Sequence, residues 1–471
     1  MFNLDRDQDT ICSVATASGL GGISVIRISG NQSVGLIKKL CKFLPSKMES
    51  HQVYYGFLHD ENHNKVDEVL VTFFEHGRSF TFEDTVEVSY HGSPIISSQI
   101  LKLLTFFGAR MSQRGEFTYR AFINGRIDLS QAESVLSLIE SQSQNASRLS
   151  LRQLEGNLSK VYLNLEDKLT DVLANLEANI DYAAEDIIIM SGSKLISQLQ
   201  DIISRVKILL DTYKTGSIIS DGFQVALVGQ PNVGKSSLMN CFVSKDKSIV
   251  TPISGTTRDI VDESIMLNGF KFHFFDTAGI CSTDNVVEQI GVNRALDKAK
   301  TVNIVTFILD HNFDFSIFDH FNFSDFKSTD FLVLFNKVDL CLLNDSGKLE
   351  MENKVKEIFS LNNISSNSLS YYWISALEEK NLQNIFAYFE SKSHINFTEN
   401  SATLMQLRHF ELLSATNIYL EKGLSLIKSD SSPEFIALEL QTALVQIKEI
   451  LGKEFNDDVM DRVFSNFCLG K

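Results

Sequence analysis

The stretch GQPNVGKSS, residues 229 to 237, follows directly on the apolar run FQVALV and leads into LMNCFV. A glycine-bearing turn between a strand and a helix aims successive backbone N–H groups at an anion, at the positive end of the helix dipole. In this pattern Lys235 reaches the β and γ phosphates of a nucleotide and the Ser236 hydroxyl holds Mg²⁺, while Asn232, Val233, Gly234 and Ser237 complete the cradle. An isolated match of this length is a modest signal. Here the strand and helix patterns stand on the correct sides of it, and companion motifs follow in order.

Those companions are GTTRD at 255 to 259, DTAG at 276 to 279, NKVD at 336 to 339 and SAL at 375 to 377. Thr257 is placed to complete the magnesium shell when a γ-phosphate is present. Asp276 ends the apolar run FKFHFF, where a strand-end carboxylate belongs, and Thr277, Ala278 and Gly279 form a turn that can switch. NKVD follows the run FLVLF, and Asp339 can accept two hydrogen bonds from guanine N1 and the exocyclic amine, which separates GTP from ATP. Asn336, Lys337, Ser375 and Ala376 belong to the same base-binding group. After DTAG many GTPases carry a glutamine that orients the attacking water, but this chain has Ile280. Glu288 is the nearby candidate for that task, the alternative being a solvated acid at a helix start.

Outward from these motifs, short apolar runs such as NIVTFILD, FLVLF and YYWISA alternate with helical stretches, which predicts a parallel α/β domain over 221–392. No proline lies between Pro94 and Pro231, and from Leu129 to Tyr213 apolar residues recur at three- and four-residue steps, so long antiparallel helices are expected over 125–220. The helical period returns in 393–471, with Ser431 or Ser432 capping a helix that opens at Pro433. The runs ISVIRISG, VYYGFLH and DTVEVSYHG mark 1–124 as a separate α+β domain. The expected architecture is an N-terminal α+β domain and a split helical domain into which a Ras-like P-loop domain is inserted.

A chain of 471 residues is too long for one core. Its formal charge of −16 disfavours a protein that coats nucleic acid along its whole surface, while leaving room for a local RNA contact. The six cysteines lie scattered with no C-x-x-C pair, the usage of a reducing compartment rather than of a zinc or disulfide framework. No apolar run approaches 18 residues and the first residues lack a basic start with an apolar core, so a soluble, cytoplasmic protein that avoids membranes is expected. The last residues, FCLGK, place Cys468 four positions from the end. Chemistry alone leaves two readings for it, a nucleophile or a packing and positioning residue.

Together these stretches resemble the tRNA-modification GTPase family called MnmE or TrmE over essentially the whole chain. The discriminating markers are DTI at 9 to 11, GLGGISVIRISG at 19 to 30, GEFTYRAFINGRIDLSQAE at 115 to 133, TPISGTTRD at 251 to 259, EQIG at 288 to 291 and the terminal FCLGK. The resemblance implies an N-terminal domain that binds 5-formyltetrahydrofolate or a related tetrahydrofolate and forms a homodimer. It implies folate contacts from Arg27, Glu87, Arg126 and Lys471, with the Cys468 tail reaching the same ligand. It further implies action with the flavoprotein MnmG to install an aminomethyl or carboxymethylaminomethyl group at C5 of the wobble uridine of certain tRNAs. GTP hydrolysis in the family needs K⁺, here assigned to Asn232, Thr251, Ile253 and Thr256, and Glu288 falls on the water-orienting glutamate. The chain departs from the family pattern at Leu20, Arg114, Cys281 and Leu377, none of them a magnesium or potassium ligand. The rival reading is a regulatory GTPase of ribosome assembly without one-carbon chemistry; such proteins usually carry a basic RNA-binding appendage, and this chain is acidic.

Overall fold

A computed structural model describes residues 9–181, 192–245, 262–276, 302–320, 323, 326, 329–393, 402–429, 431–454 and 457–470. It contains two compact units, one made of Met1–Glu140, Ser150–Leu210 and Leu407–Lys471, the other of Ser141–Leu149 and Asp211–Gln406.

In the first unit, alternating apolar residues build a sheet from β1 (Ile11–Val14), β2 (Ser24–Ser29), β3 (Val53–His59), β4 (Lys65–Phe74), β5 (Thr85–Tyr90) and β6 (Arg110–Met111). The order is β3-β4-β5-β2-β1-β6, antiparallel except for the β1–β6 pair. Because side chains alternate across a strand, Ile26, Ile28, Val69, Val71, Val86 and Val88 share one face. They are buried with Leu36 and Ile37 of the helix Ser33–Leu40 and with Ile100 and Leu104 of the helix Pro94–Phe106. The same alternation sends Arg27 and Glu87, paired directly across β2 and β5, to the opposite face.

The helices of this unit come from both sides of the second unit in sequence. Pro433–Leu451 packs on Leu407–Lys428 and on Asn157–Asp181, as the two separated helical patterns lead one to expect. Ser432 is the N-cap residue with Pro433 in the first turn, but its hydroxyl donates to Glu434 and caps no backbone N–H. A buried polar cluster joins the two sets of helices: Glu133 of Leu129–Glu140 accepts from Arg408 Nε at 2.7 Å, Arg408 Nη2 at 2.9 Å and His409 Nε2 at 2.6 Å.

The second unit is a sheet of β7 (Phe223–Gly229), β8 (Asp262–Leu267), β9 (Phe270–Asp276), β10 (Ile304–Leu309), β11 (Asp330–Phe335) and β12 (Leu369–Trp373), ordered β12-β11-β10-β7-β9-β8. All neighbours run parallel except β8, which pairs antiparallel with β9 at the edge. Every residue of β10 is buried, as are all but one of β11, the pattern of parallel strands covered on both faces. In this register Gly229 lies beside Ile308 and Leu309 beside Phe335, so the carboxyl ends of β7, β10 and β11 form one rim, where open parallel sheets bind ligands. Among the described residues no helix is long and apolar enough to cross a membrane.

Candidate functional site

The turn after β7 is built so that only glycine fits at its ends. A Cβ on Gly229 would stand 2.8 Å from Ile308 O, and one on Gly234, whose φ is +103°, 2.2 Å from Asn336 Nδ2. Lys235 begins the helix Lys235–Lys245, and its ammonium donates to Gly229 O at 2.8 Å and Gln230 O at 3.1 Å, laying a buried cation along the cradle. Asn232, in a left-handed conformation, and Ser236 and Ser237 are placed on the rim; Val233 is buried beneath it. The geometry fits a phosphate group.

Asn336 connects this cradle to the base loops. Its Nδ2 donates to Val233 O at 2.7 Å and its Oδ1 accepts from Ala376 N at 2.9 Å. The Ser375 hydroxyl donates to Asp339 and holds that carboxyl below its usual pKa, so Asp339 presents an ionised acceptor. Lys337, at φ +60°, turns its ammonium to within 3.3 Å of Asp310 Oδ2. Leu377 is 83% exposed and takes no part in these bonds, so the departure there leaves the loop tied through its neighbours. Thr251, Ile253, Thr256, Thr257, Thr277, Ala278, Gly279, Ile280, Cys281 and Glu288 lie outside the described residues, as does the side chain of Asp276.

In the first unit Arg27 and Arg126 gather around Phe80, and Glu87 pairs with Arg27. Arg27 pairs with Glu87 at 2.8 Å through Nη2 and 2.9 Å through Nε, and its guanidinium lies 5.0 Å from the Phe80 ring and 5.6 Å from that of Phe117. Arg126 lies 4.9 Å from the same Phe80 ring and donates to Phe80 O at 2.6 Å. Burial and the nearby Arg27 charge both lower the Arg126 pKa, so the two cations crowd one another. Arg27 Nη1 is buried with no hydrogen-bond partner among the described residues. At 14% side-chain exposure Arg27 is not the exposed strand residue that an outward-facing position suggests. An unmet donor on one of two neighbouring guanidinium groups, beside the half-buried Phe80 ring, fits an anionic aromatic ligand. Sequence reasoning missed Phe80, which stands in the polar turn between β4 and β5 without a motif to mark it. Lys471 is outside the described residues.

Residues 129–468 match the family described as MnmE helical domain, and residues 10–126 match GTP-binding protein TrmE N-terminus. This chain belongs to the MnmE family. A protein named tRNA modification GTPase MnmE from Bdellovibrio bacteriovorus is 40% identical over 100% of this chain and 99% of its own length. Its namesake in Aquifex aeolicus is 35% identical over 98% of this chain and 100% of its own length. Among solved structures, a variant of Aquifex aeolicus Era bound to GDP.AlF4- aligns with 42% of this chain and 66% of its own, at 24% identity and a TM-score of 0.28.

In this MnmE-family chain the C-terminal tail is seated by two glycines. Phe464 and Phe467 pack with Tyr119 and Phe122 in an apolar cluster. Gly115, at φ +70°, lies so close that a Cβ would stand 2.5 Å from Phe464 O, and a Cβ on Gly470, at φ +89°, would stand 2.1 Å from Val14 O. The Cys468 carbonyl is 3.5 Å from Gly115 N, while the residue itself is exposed. Cys468 itself is exposed, and the apolar space beneath the tail is filled by the two phenylalanines. Gly115→Ala combines a left-handed backbone with a clash against backbone oxygen, and is expected to release the tail. Limited proteolysis should then cleave the variant C-terminally at least about tenfold faster than the parent; equal cleavage rates would show that the seat does not hold it.

Proposed function

We propose that this chain hydrolyses GTP in a K⁺-stimulated manner and, with the flavoprotein MnmG, tRNA and a tetrahydrofolate one-carbon donor, modifies C5 of the wobble uridine in certain tRNAs. The observation that carries this reading is the extent of the family match: it spans the N-terminal unit and the split helices as well as the nucleotide motifs that many GTPases share. Lys235 and the turn from Asn232 to Ser237 bind the phosphates, and Asp339, braced by Ser375, reads the guanine edge. Ser236 and Thr257 would hold Mg²⁺, with Asp276, Thr277, Ala278 and Gly279 beside it; Asn232, Thr251, Ile253 and Thr256 would hold K⁺. When bound, these cations supply positive charge where the phosphate oxygens gain negative charge. Glu288 orients the attacking water. Arg27, Arg126 and Lys471 take the folate carboxylates, Glu87 accepts from the pterin edge, and the exposed Cys468 is presented towards that ligand. The chain acts as a cytoplasmic homodimer.

The deciding experiment is nucleoside analysis of wobble uridines in cells lacking this protein. Loss of the C5 modification supports the reading, and unchanged modification would favour a regulatory GTPase of ribosome assembly. The cation requirement has its own measurement, turnover in KCl against NaCl. An arginine finger in other GTPases contributes about 10³ to 10⁵ in rate, and a monovalent cation addresses the same charge, so at least about tenfold stimulation by K⁺ is expected. Asn232→Ala should erase most of that difference; equal rates in both salts for the parent protein would refute K⁺ dependence.

A further inference from the structure

The loop after β10, DHNFDFS at 310 to 316, carries two carboxylates, and each holds a different nucleotide loop. Asp310 Oδ2 lies 3.3 Å from the ammonium of Lys337, the residue between Asn336 and Val338 in the base loop. Asp314 Oδ2 accepts from the side-chain amide of Gln230, the second residue of the phosphate turn. The Gln230 carbonyl in turn accepts from Lys235 at 3.1 Å, so Asp314 acts one residue away from the phosphate-binding cation.

The loop is held in place independently of these two bonds. Asp310 Oδ1 accepts from Asn312 N at 3.0 Å and Asp314 Oδ1 from Ser316 N at 2.9 Å, which fixes both carboxyl groups. Phe313 meets the rings of Phe335 at 6.1 Å and Trp373 at 5.8 Å, and those two rings stack at 4.3 Å. Lys337 needs such an anchor: its left-handed backbone is unfavourable for a side chain with a Cβ, and a free lysine would spend much of its time in other rotamers. Asp310 is 17% and Lys337 28% exposed, so their attraction is less screened than that of a surface pair.

Resting on the guanine-nucleotide reading above, we propose that Asp310 and Asp314 are positioning residues for that nucleotide. The loop preorganises the base loop through Lys337 and the phosphate turn through Gln230. Less ordering then remains to be done on binding, and the bound nucleotide leaves more slowly.

The test uses the full chain carrying Asp310→Asn, Asp314→Asn, both together, and Asp310→Glu. GDP affinity and release rate are measured beside KM and kcat for GTP. Each asparagine variant is expected to bind GDP about three- to tenfold more weakly, through faster release. KM should rise to match while kcat changes less than about twofold, the pattern of lost binding common to ground and transition states. Because the two carboxylates act on separate loops, the double variant should show close to the product of the single effects. Asp310→Glu, which keeps the charge, should recover part of the affinity. GDP affinity unchanged in both asparagine variants would overturn the proposal. So would losses that track an equal fall in melting temperature and in kcat, since these mark a purely structural role. A parent protein that fails to bind GDP would overturn the proposed function itself, and this inference with it.

Discussion

Asp339→Asn is expected to weaken GDP binding by about 10² to 10⁴-fold, because two hydrogen bonds to an ionised carboxylate are each worth about 1.5–3 kcal/mol. The Ser375 hydroxyl orients Asp339 and lowers its pKa further, so on the proposed reading the carboxylate would offer two acceptors to the N1–H and amino group of guanine. Asparagine offers one acceptor and one donor. It leaves the guanine amino group facing a donor, and matches xanthine, which carries a carbonyl oxygen at that position. Calorimetric titration with GDP and XDP checks both halves: GDP affinity should collapse while XDP affinity rises above that of the parent. A variant that retains GDP affinity within about threefold would show that Asp339 does not read the base. The cradle around Lys235 and the Asn336 bridge are built by other residues, so the variant should remain folded with its phosphate turn intact.

Glu133→Ala is expected to destabilise the first unit by about 3–5 kcal/mol, the usual consequence of removing one partner from a buried ion pair. The carboxylate is 12% exposed, and His409, which it accepts from, is fully buried against Tyr162, whose hydroxyl lies 3.3 Å from His409 Nδ1. Arg408 also donates to Glu449 O and Ile450 O at 3.2 Å each, satisfying carbonyls in the last turn of Pro433–Leu451. Without Glu133 the half-buried Arg408 guanidinium and the buried His409 imidazole lose their carboxylate partner. Burial raises the Glu133 pKa, but the fields of His409 and Arg408 and their hydrogen bonds outweigh it and bring the group from 4.5 to about 2. A depressed carboxyl pKa contributes stability that is complete above the unfolded value and is lost as pH falls through the folded one. The stability gap between parent and Glu133→Ala should therefore be full at pH 7, begin to close below about pH 4.5, and be nearly gone near pH 2. Denaturant titrations across that range measure it, and a gap that stays constant down to acid pH would mean that ionised Glu133 is not the stabilising species.

The nucleotide motifs were legible in the sequence because each is a local device. A phosphate turn needs its glycines, lysine and serine within nine consecutive residues, since neighbouring backbone N–H groups do the binding. NKVD and SAL each project from one strand end in the same way, and the buried parallel strands announced themselves as continuous apolar runs. The split of the helical unit was legible too, because helical periodicity stopped and resumed on either side of those runs. The N-terminal cluster was only half legible: Arg27, Glu87 and Arg126 could be named from resemblance, but not the ring on which two of them stack.

What tertiary structure alone decided are the contacts between residues remote in the chain. Glu133 meets Arg408 and His409 across 275 and 276 positions, and neither end carries a local pattern that marks the other. Gly115 is a glycine because Phe464 passes against it, and Gly470 because Val14 does. No motif in the sequence marks Asp310 or Asp314, and only the strand order that sets β10 between β7 and β11 brings them to Lys337 and Gln230. A sequence specifies chemistry wherever backbone geometry repeats within a few residues, because hydrogen-bond and side-chain directions are then set by adjacent dihedral angles. Where the partner arrives from elsewhere in the chain, its identity depends on strand order and helix packing, and those follow from burying the whole apolar surface at once.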